Sequence, residues 1–318
     1  MSNQTNTIAV VAGPTACGKS ALALELAARL GGEVVCADSM QLWAGLEIGS
    51  AAPTYSERAA LPHHLYGSLD FAARHGGKFS AAEYVEDAAA AINEIHARGR
   101  LPVLCGGTGL YIDSLVYGNQ FSPAGTDPAF REEMARYARE NSPESLHALL
   151  READPESAEA IHPANVRRVI RALEVYRLTG EKKSALDAKS RMSGPKWRCA
   201  YICLGYEDRA LLYRKIEERA DAMLAGGWVG EARALMESGH EADVRALGAI
   251  GYGALFDHIK GQRTLYDAVL SIKNDTRHYA KRQETWFKKG GERLWLYRDR
   301  DTDIFGKCVE YINDILNR

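Results

Sequence analysis

The segment Gly13-Pro14-Thr15-Ala16-Cys17-Gly18-Lys19-Ser20 constrains this chain more than any other, because it fits G-x-x-x-x-G-K-[ST] in the context that motif requires. A short β-branched apolar run, Thr7 to Ala12, precedes it. Behind it, Leu22, Leu26 and Leu30 recur at helical spacing from Ser20 onward. Strand, glycine-rich turn and helix therefore follow in order. The glycines let the backbone wrap so that its N–H groups face phosphate oxygens, and the helix N-terminus adds a favourable dipole. Lys19 contributes a mobile charge, and Ser20 a hydroxyl suited to Mg²⁺. The motif establishes phosphate binding as the expectation without saying which phosphate compound is bound.

The flanking segments extend this unit. Glu33 to Ala37 reads as a second strand ending at Asp38, and Leu101 to Cys105 as a third, ended by Gly106 and Gly107. Between them Ser80 to Arg98 reads as a helix with a capping box, Ser80 paired with Glu83. Strand–helix alternation predicts an α/β fold with an open parallel sheet, whose ligands lie at the carboxyl ends of the strands. From Pro128 to Gly180 the chain is helical and charged, with breaks expected at Pro143, Pro155 and Pro163, and reads as a helical insertion. A strand in YICLGY (201–206), a helix from Arg209 to Leu224, a strand from Leu294 to Tyr297 and a helix from Ile304 to Leu316 follow. The expected division is 1–122 with 200–318 as the core, and 123–199 as the insertion.

With 318 residues, 46% of them apolar and 26% charged, the chain can build a packed core. It has 40 basic and 42 acidic residues, which excludes a protein that is basic all over. The charge is segregated, however. Residues 165–183 carry a net +4 and residues 273–300 a net +5, the latter interleaved with Tyr279, Trp286 and Phe287. A solvated helix face explains one such window; two favour a nucleic-acid surface. The six cysteines are scattered, so reduced thiols are expected and no zinc or disulfide framework. The polar start MSNQTNT lacks the pattern of a signal peptide, and no run of about eighteen apolar residues exists, so a cytoplasmic protein off the membrane is expected.

A nucleotide hydrolase or kinase offers an aspartate after an apolar strand to hold its metal, but the strand LPVLC ends in Gly-Gly-Thr. The acid at a strand end is Asp38, which either caps the next turn or faces the phosphate loop.

Taken together, GPTACGKS, DSMQLW (38–43), GSAAP (49–53), PHHL (62–65), FSAAEY (79–84), GGTGLY (106–111), RRVIRALEVY (167–176) and TRHYAKRQETWF (276–287) resemble the ordered motifs of the tRNA dimethylallyltransferases. The likeness runs from about Ile8 to Leu296. It implies a P-loop NTPase-like parallel sheet core flanked by helices, with a helical insertion domain. The implied reaction moves a dimethylallyl group from its diphosphate to N6 of adenosine 37 of tRNA, with Mg²⁺ as cofactor.

By match to the family's motifs, Gly13, Pro14, Thr15, Ala16, Cys17, Gly18, Lys19 and Ser20 bind the donor diphosphate, Ser20 holds Mg²⁺, and Arg219 steadies the diphosphate. Asp38 is the general base, and Thr108 stands in the active site with it. Lys19 is counted with them as catalytic, and the residues expected on the tRNA side are Asp38, Ser39, Met40, Gln41, Thr108, Arg131, Arg167, Arg168, Arg171, Gly251, Tyr252, Arg277, Lys281, Arg282 and Gln283. Surface pairing is the competing reading for the arginines, since Glu174 lies three residues from both Arg171 and Arg177. Trp286 reads as core more than as a base stack. The chain departs from the family pattern at Trp43, Ala52, Lys215, Gly253 and Glu284. Three other readings share the loop: a small-molecule kinase, an adenylate isopentenyltransferase using free nucleotides, and a non-catalytic RNA-binding protein. A monomer is expected.

Overall fold

The structure, a computed structural model, describes residues 6–74, 79–118, 125–191 and 194–317. Six strands form one parallel sheet: β1 (Thr7–Ala12), β2 (Gly32–Cys36), β3 (His63–His64), β4 (Leu101–Gly106), β5 (Arg198–Gly205) and β6 (Leu294–Tyr297). Their order is β3-β2-β4-β1-β5-β6, so β2, β4, β1 and β5 are interior and the short β3 and β6 form the edges. The pairing of Ala12 with Gly106 and of Cys36 with Cys105 aligns the ends of β1, β2 and β4 along one rim of the sheet. This is the open parallel sheet expected from the alternation of strands and helices, in the P-loop NTPase-like form that the resemblance implies.

β1 and β4 are buried along their whole length because both faces are covered. On one face the Lys19–Leu30 helix contributes Leu22 and Leu26, and the Ile304–Asn317 helix contributes Ile304, Cys308 and Ile312, against Ala9, Val11, Val103 and Ile202. Leu26 retains no exposed surface, and burying such a side chain stabilises by about 2 kcal/mol. The Ala81–Ala97 and Gly109–Val116 helices cover β2 and β4. Tyr84 and Tyr111 stack there with ring centroids 4.2 Å apart, and the Tyr84 hydroxyl donates to the carbonyl of Cys36. The capping box of Ser80 and Glu83 is present.

The chain divides into two compact units, one of Met1–Val116 with Lys196–Arg318, the other Tyr117–Pro195. The breaks thus fall a few residues before the expected 122/123 and 199/200. The second break moves because β5 begins at Arg198 and takes Cys199 into the sheet. Within the second unit, Pro128, Pro143 and Pro155 each occupy the first turn of a helix, capped by the side chains of Asp127, Ser142 and Asp154. Pro143 and Pro155, expected as breaks, therefore mark helix starts, where a missing N–H costs nothing. Phe130, Leu146, Leu150, Val169 and Leu173 form that unit's own core. All six cysteines are free thiols. No helix among the described residues is long and apolar enough to cross a membrane.

Candidate active site

The loop between β1 and the first helix is built by close backbone approach. Gly13 has φ +142°, and a Cβ there would stand 2.2 Å from the carbonyl oxygen of Leu204. Gly18, at φ 80°, opens the helix. From the outside, Arg298 donates through Nε to Cys17 O (3.2 Å) and through Nη2 to Gly18 O (3.1 Å). Lys19 is buried, its Nζ 3.5 Å from Pro14 O, whereas Ser20 is exposed. Burial raises the pKa of the Cys17 thiol, with Lys19 opposing, so it stays protonated inside the loop.

The ends of β2 and β4 supply the next groups. Thr108 N–H donates to Ala37 O (3.1 Å), and the Ser39 amide donates to Thr108 Oγ1 (2.9 Å). Thr108 Oγ1 in turn lies 3.2 Å from Ser39 Oγ. Asp38 accepts the Met40 amide at Oδ1 (3.1 Å), which orients its carboxylate. Asp38 does take part in a local turn, as a capping role would have it, but it also lines a cavity together with Thr15 of the phosphate loop. β4, which lies beside β1, ends in Gly106, Gly107 and Thr108, so no acid stands where a kinase or hydrolase carries its metal-binding aspartate.

That cavity encloses about 210 Å³. Besides Thr15, Asp38, Ser39 and Met40 its walls are largely apolar, from Ile216, Ala220, Met223, Trp228, Ile250 and Ile272. These come from separate C-terminal segments, chiefly the helices Arg209–Ala225, Trp228–Glu237 and Leu265–Lys289. A second, open depression above the phosphate loop is lined by Ala16, Gly18, Lys19, Ser20, Ala21, Lys215 and Arg219. Arg219 borders both. Its Nη2 donates to Ser50 O (3.1 Å). Burial lowers its pKa while the nearby Asp38 charge opposes, yet an arginine remains cationic across the physiological range.

Gln283, expected at the tRNA, is buried. Its Oε1 accepts the Thr15 amide (2.8 Å) and its Nε2 donates to Gly107 O (2.9 Å), so it joins the phosphate loop to the end of β4. Gln41 is also buried, with Nε2 donating to Ser50 O and Ala51 O, each at 3.0 Å. Tyr252 lines the cavity, and its hydroxyl donates to Glu231 Oε1 at 2.5 Å. Gly251 has φ +93° and lies against the Trp228 ring.

The second basic window lies mainly on the single Leu265–Lys289 helix, which the sequence reading did not delimit. Arg277 pairs with Glu217, while Arg282 lines the cavity and stands over the Tyr279 ring at 5.7 Å. Lys281, Arg282, Thr285, Trp286 and Lys289 line an exposed basic depression, and the half-buried Trp286 donates its indole N–H to Asp113 (2.7 Å).

In the second unit Arg131 and Arg171 are held by the buried Glu174, Arg131 through Nε and Nη2, each at 2.8 Å, and Arg171 at 2.5 Å. Burial works to raise the Glu174 pKa, but these arginines and the Asp127 amide outweigh it and hold it low. Arg177 faces Asp127 at 3.7 Å instead. Arg167 and Arg168 are exposed and form no ion pair among the described residues. Of the departures, Trp43 is buried and stacks on Phe71, Lys215 pairs with Glu218, and Glu284 pairs with Lys288.

A phosphate loop is shared by many nucleotide-binding proteins, but an apolar cavity holding a carboxylate beside it is not what a nucleobase and ribose ask for. Fold and site together define a P-loop protein whose phosphate loop stands beside a largely apolar cavity containing Asp38. Comparison with known proteins agrees. The family model for IPP transferase matches residues 41–290. The tRNA dimethylallyltransferase of Geobacter metallireducens is 45% identical over 91% of this chain and 92% of its own length. That of Geobacillus kaustophilus is 44% identical over 96% and 95%. Among solved structures, the tRNA isopentenylpyrophosphate transferase of Bacillus halodurans matches with TM-score 0.69 and 36% identity, covering 98% of this chain and 96% of that one. A eukaryotic dimethylallyltransferase acting on tRNA matches with TM-score 0.80 and 26% identity, covering 98% and 80%. The chain belongs to the IPP transferase family.

Proposed function

We propose that this chain transfers a dimethylallyl group from dimethylallyl diphosphate to N6 of adenosine 37 in tRNA, releasing diphosphate. The observation that carries the reading is the junction at Arg219, where a cationic depression over the phosphate loop meets an apolar cavity that contains Asp38. The diphosphate lies against the loop amides, Lys19 and Arg219, which stabilise charge on the leaving oxygens as the allylic C–O bond breaks. The five-carbon tail occupies the cavity beside Ile216, Ala220 and Met223. As the C–N bond forms, Asp38 accepts a proton from the exocyclic amine, whose lone pair is otherwise delocalised into the ring. Thr108 and Ser39 hold the end of β4 to the turn that carries Asp38.

Among the described residues no cluster of three acids, histidines or cysteines could cage a metal. The exposed Ser20 hydroxyl beside the depression fits Mg²⁺ carried chiefly by the diphosphate and water. When bound, the ion neutralises charge on the leaving group.

The adenine must leave the anticodon-loop stack to reach Asp38. Lys281, Arg282 and Lys289 offer phosphate contacts beside the site. In the second unit the exposed Arg167 and Arg168 are available for RNA. The reading implies a cytoplasmic enzyme, and since one chain supplies the loop, Asp38 and the cavity, a monomer suffices.

The test is transfer of radiolabelled dimethylallyl diphosphate, with Mg²⁺, into unmodified tRNA, with AMP and ATP in parallel. Label on tRNA, lost when guanosine replaces adenosine 37, is expected. Label on free nucleotides assigns the chain to nucleotide prenylation, and ATP consumption without transfer refutes the proposal.

A further inference from the structure

Glu231 is a half-buried carboxylate on the Trp228–Glu237 helix, facing no cation that pairs with it among the described residues. Three neutral donors hold it instead. Its Oε2 accepts the Ile48 amide (2.7 Å), and its Oε1 accepts the Gly49 amide (2.9 Å) and the Tyr252 hydroxyl (2.5 Å). Burial raises its pKa against these hydrogen bonds, as expected for a carboxylate that gains no opposite charge from its surroundings.

The turn that Glu231 grips is the one that faces the donor site. The residue after Gly49 is Ser50, whose carbonyl accepts from Arg219 Nη2 at 3.1 Å and from Gln41 Nε2 at 3.0 Å. Gly49 and Ser50 both line the cavity. The approach is close enough to require glycine, since a Cβ on Gly49 would fall 2.1 Å from Trp228 Nε1 and 2.3 Å from the Tyr252 hydroxyl. Arg219 makes no ion pair among the described residues, and the Ser50 carbonyl is its hydrogen-bond anchor there, with Asp38 near enough to act on its charge. A long side chain held at a single point loses binding energy whenever its anchor wanders, because ordering the guanidinium must then be done by the ligand.

We infer that Glu231 is a positioning residue of the donor site: by gripping Ile48 and Gly49 it fixes the Ser50 carbonyl, and through that carbonyl it aims Arg219 at the diphosphate. The inference rests on the donor site proposed above. It differs from a general structural role in one respect. Its effect on ligand binding runs through Arg219 and vanishes when Arg219 is gone.

The experiment is titration calorimetry of inorganic pyrophosphate with Mg²⁺ on the full chain, using wild type, Glu231→Gln, Arg219→Ala and the double variant. Glutamine keeps the shape but presents an N–H where one amide needs an acceptor. Glu231→Gln is expected to weaken pyrophosphate about tenfold. The KM for dimethylallyl diphosphate should rise similarly, with kcat and tRNA affinity little changed. The double variant should bind no more weakly than Arg219→Ala. Hydrogen exchange at Ile48 and Gly49 should quicken in Glu231→Gln while the sheet amides hold. If that variant fails to fold, Gly49→Ala, which pushes the same turn away from Glu231, should give the same loss of pyrophosphate affinity. Wild-type pyrophosphate affinity in Glu231→Gln, or losses that simply add in the double variant, overturns the inference. A wild-type chain that binds ATP and no pyrophosphate removes the donor site itself, and is told apart because it appears before any substitution is made.

Discussion

Replacing Gln283 by leucine isolates the contact that joins the two halves of the site. The side chain is only 4% exposed, and its amide is the hydrogen-bond partner of the Thr15 N–H and the Gly107 carbonyl. Leucine fills similar volume, so packing changes little while both backbone groups lose their partner. Each buried group left unsatisfied costs about 1–3 kcal/mol, giving about 2–6 kcal/mol for the pair before relaxation. Close packing limits that relaxation, because a Cβ on Gly107 would stand only 2.2 Å from Gln283 Nε2. Urea unfolding followed by circular dichroism should show the midpoint fall with an unchanged slope. The KM for the donor should rise in the surviving folded fraction, since Thr15 belongs to the phosphate loop. Gln283→Glu should be intermediate, because a carboxylate still accepts from Thr15 but cannot donate to Gly107. An unfolding free energy within about 0.5 kcal/mol of wild type in Gln283→Leu would refute the reasoning, and would mean water replaces both bonds.

Asp38→Asn should lower kcat by about 10²–10⁴ while pyrophosphate and tRNA still bind, measured by single-turnover transfer; unchanged turnover removes Asp38 as the base. Arg167→Ala and Arg168→Ala should each weaken tRNA binding and reduce its salt slope by about 0.7, whereas Arg171→Ala, already committed to Glu174, should chiefly lower stability. Equal salt slopes for all three would contradict this. Glu33 is held below its ordinary 4.5 by its hydrogen bond to Arg98, which together with His64 outweighs burial. Its stabilising contribution is therefore full above pH 4.5 and is lost as pH falls through the lowered folded value. Melting curves through this acid range should show a flatter decline in Glu33→Gln than in wild type.

What the sequence shows plainly is local. The phosphate loop, the Ser80–Glu83 capping box and the strand leading to Asp38 are each written within a few consecutive residues, and the structure contains all three, the strand as Gly32–Cys36, one residue earlier than expected. Pro143 and Pro155 were visible as punctuation, but whether a proline ends one helix or opens the next depends on the capping side chain before it. The apolar cavity was not legible, because Ile216, Trp228, Ile250 and Ile272 belong to different segments and each alone reads as ordinary core. Charge was legible as a sum but not as a disposition. The i, i+3 spacing showed that Arg171 can reach Glu174, yet nothing local reveals that Arg131, 43 residues away, takes the same carboxylate. Gln283 sits among basic residues in sequence and inside the protein in space, a tertiary outcome that no periodicity announces.

The two edges of the sheet are its shortest strands, two residues at β3 and four at β6. A parallel sheet with long bare edges is a template on which a second chain can add strands, and from there aggregates grow. Here most of the interior hydrogen-bonding length is already paired, and the outermost strands leave few free N–H and C=O groups. The long strands β1 and β4, among the segments most prone to stack if exposed, lie at the centre of the sheet, and the short strands β3 and β6 at its edges offer a newcomer little to hold.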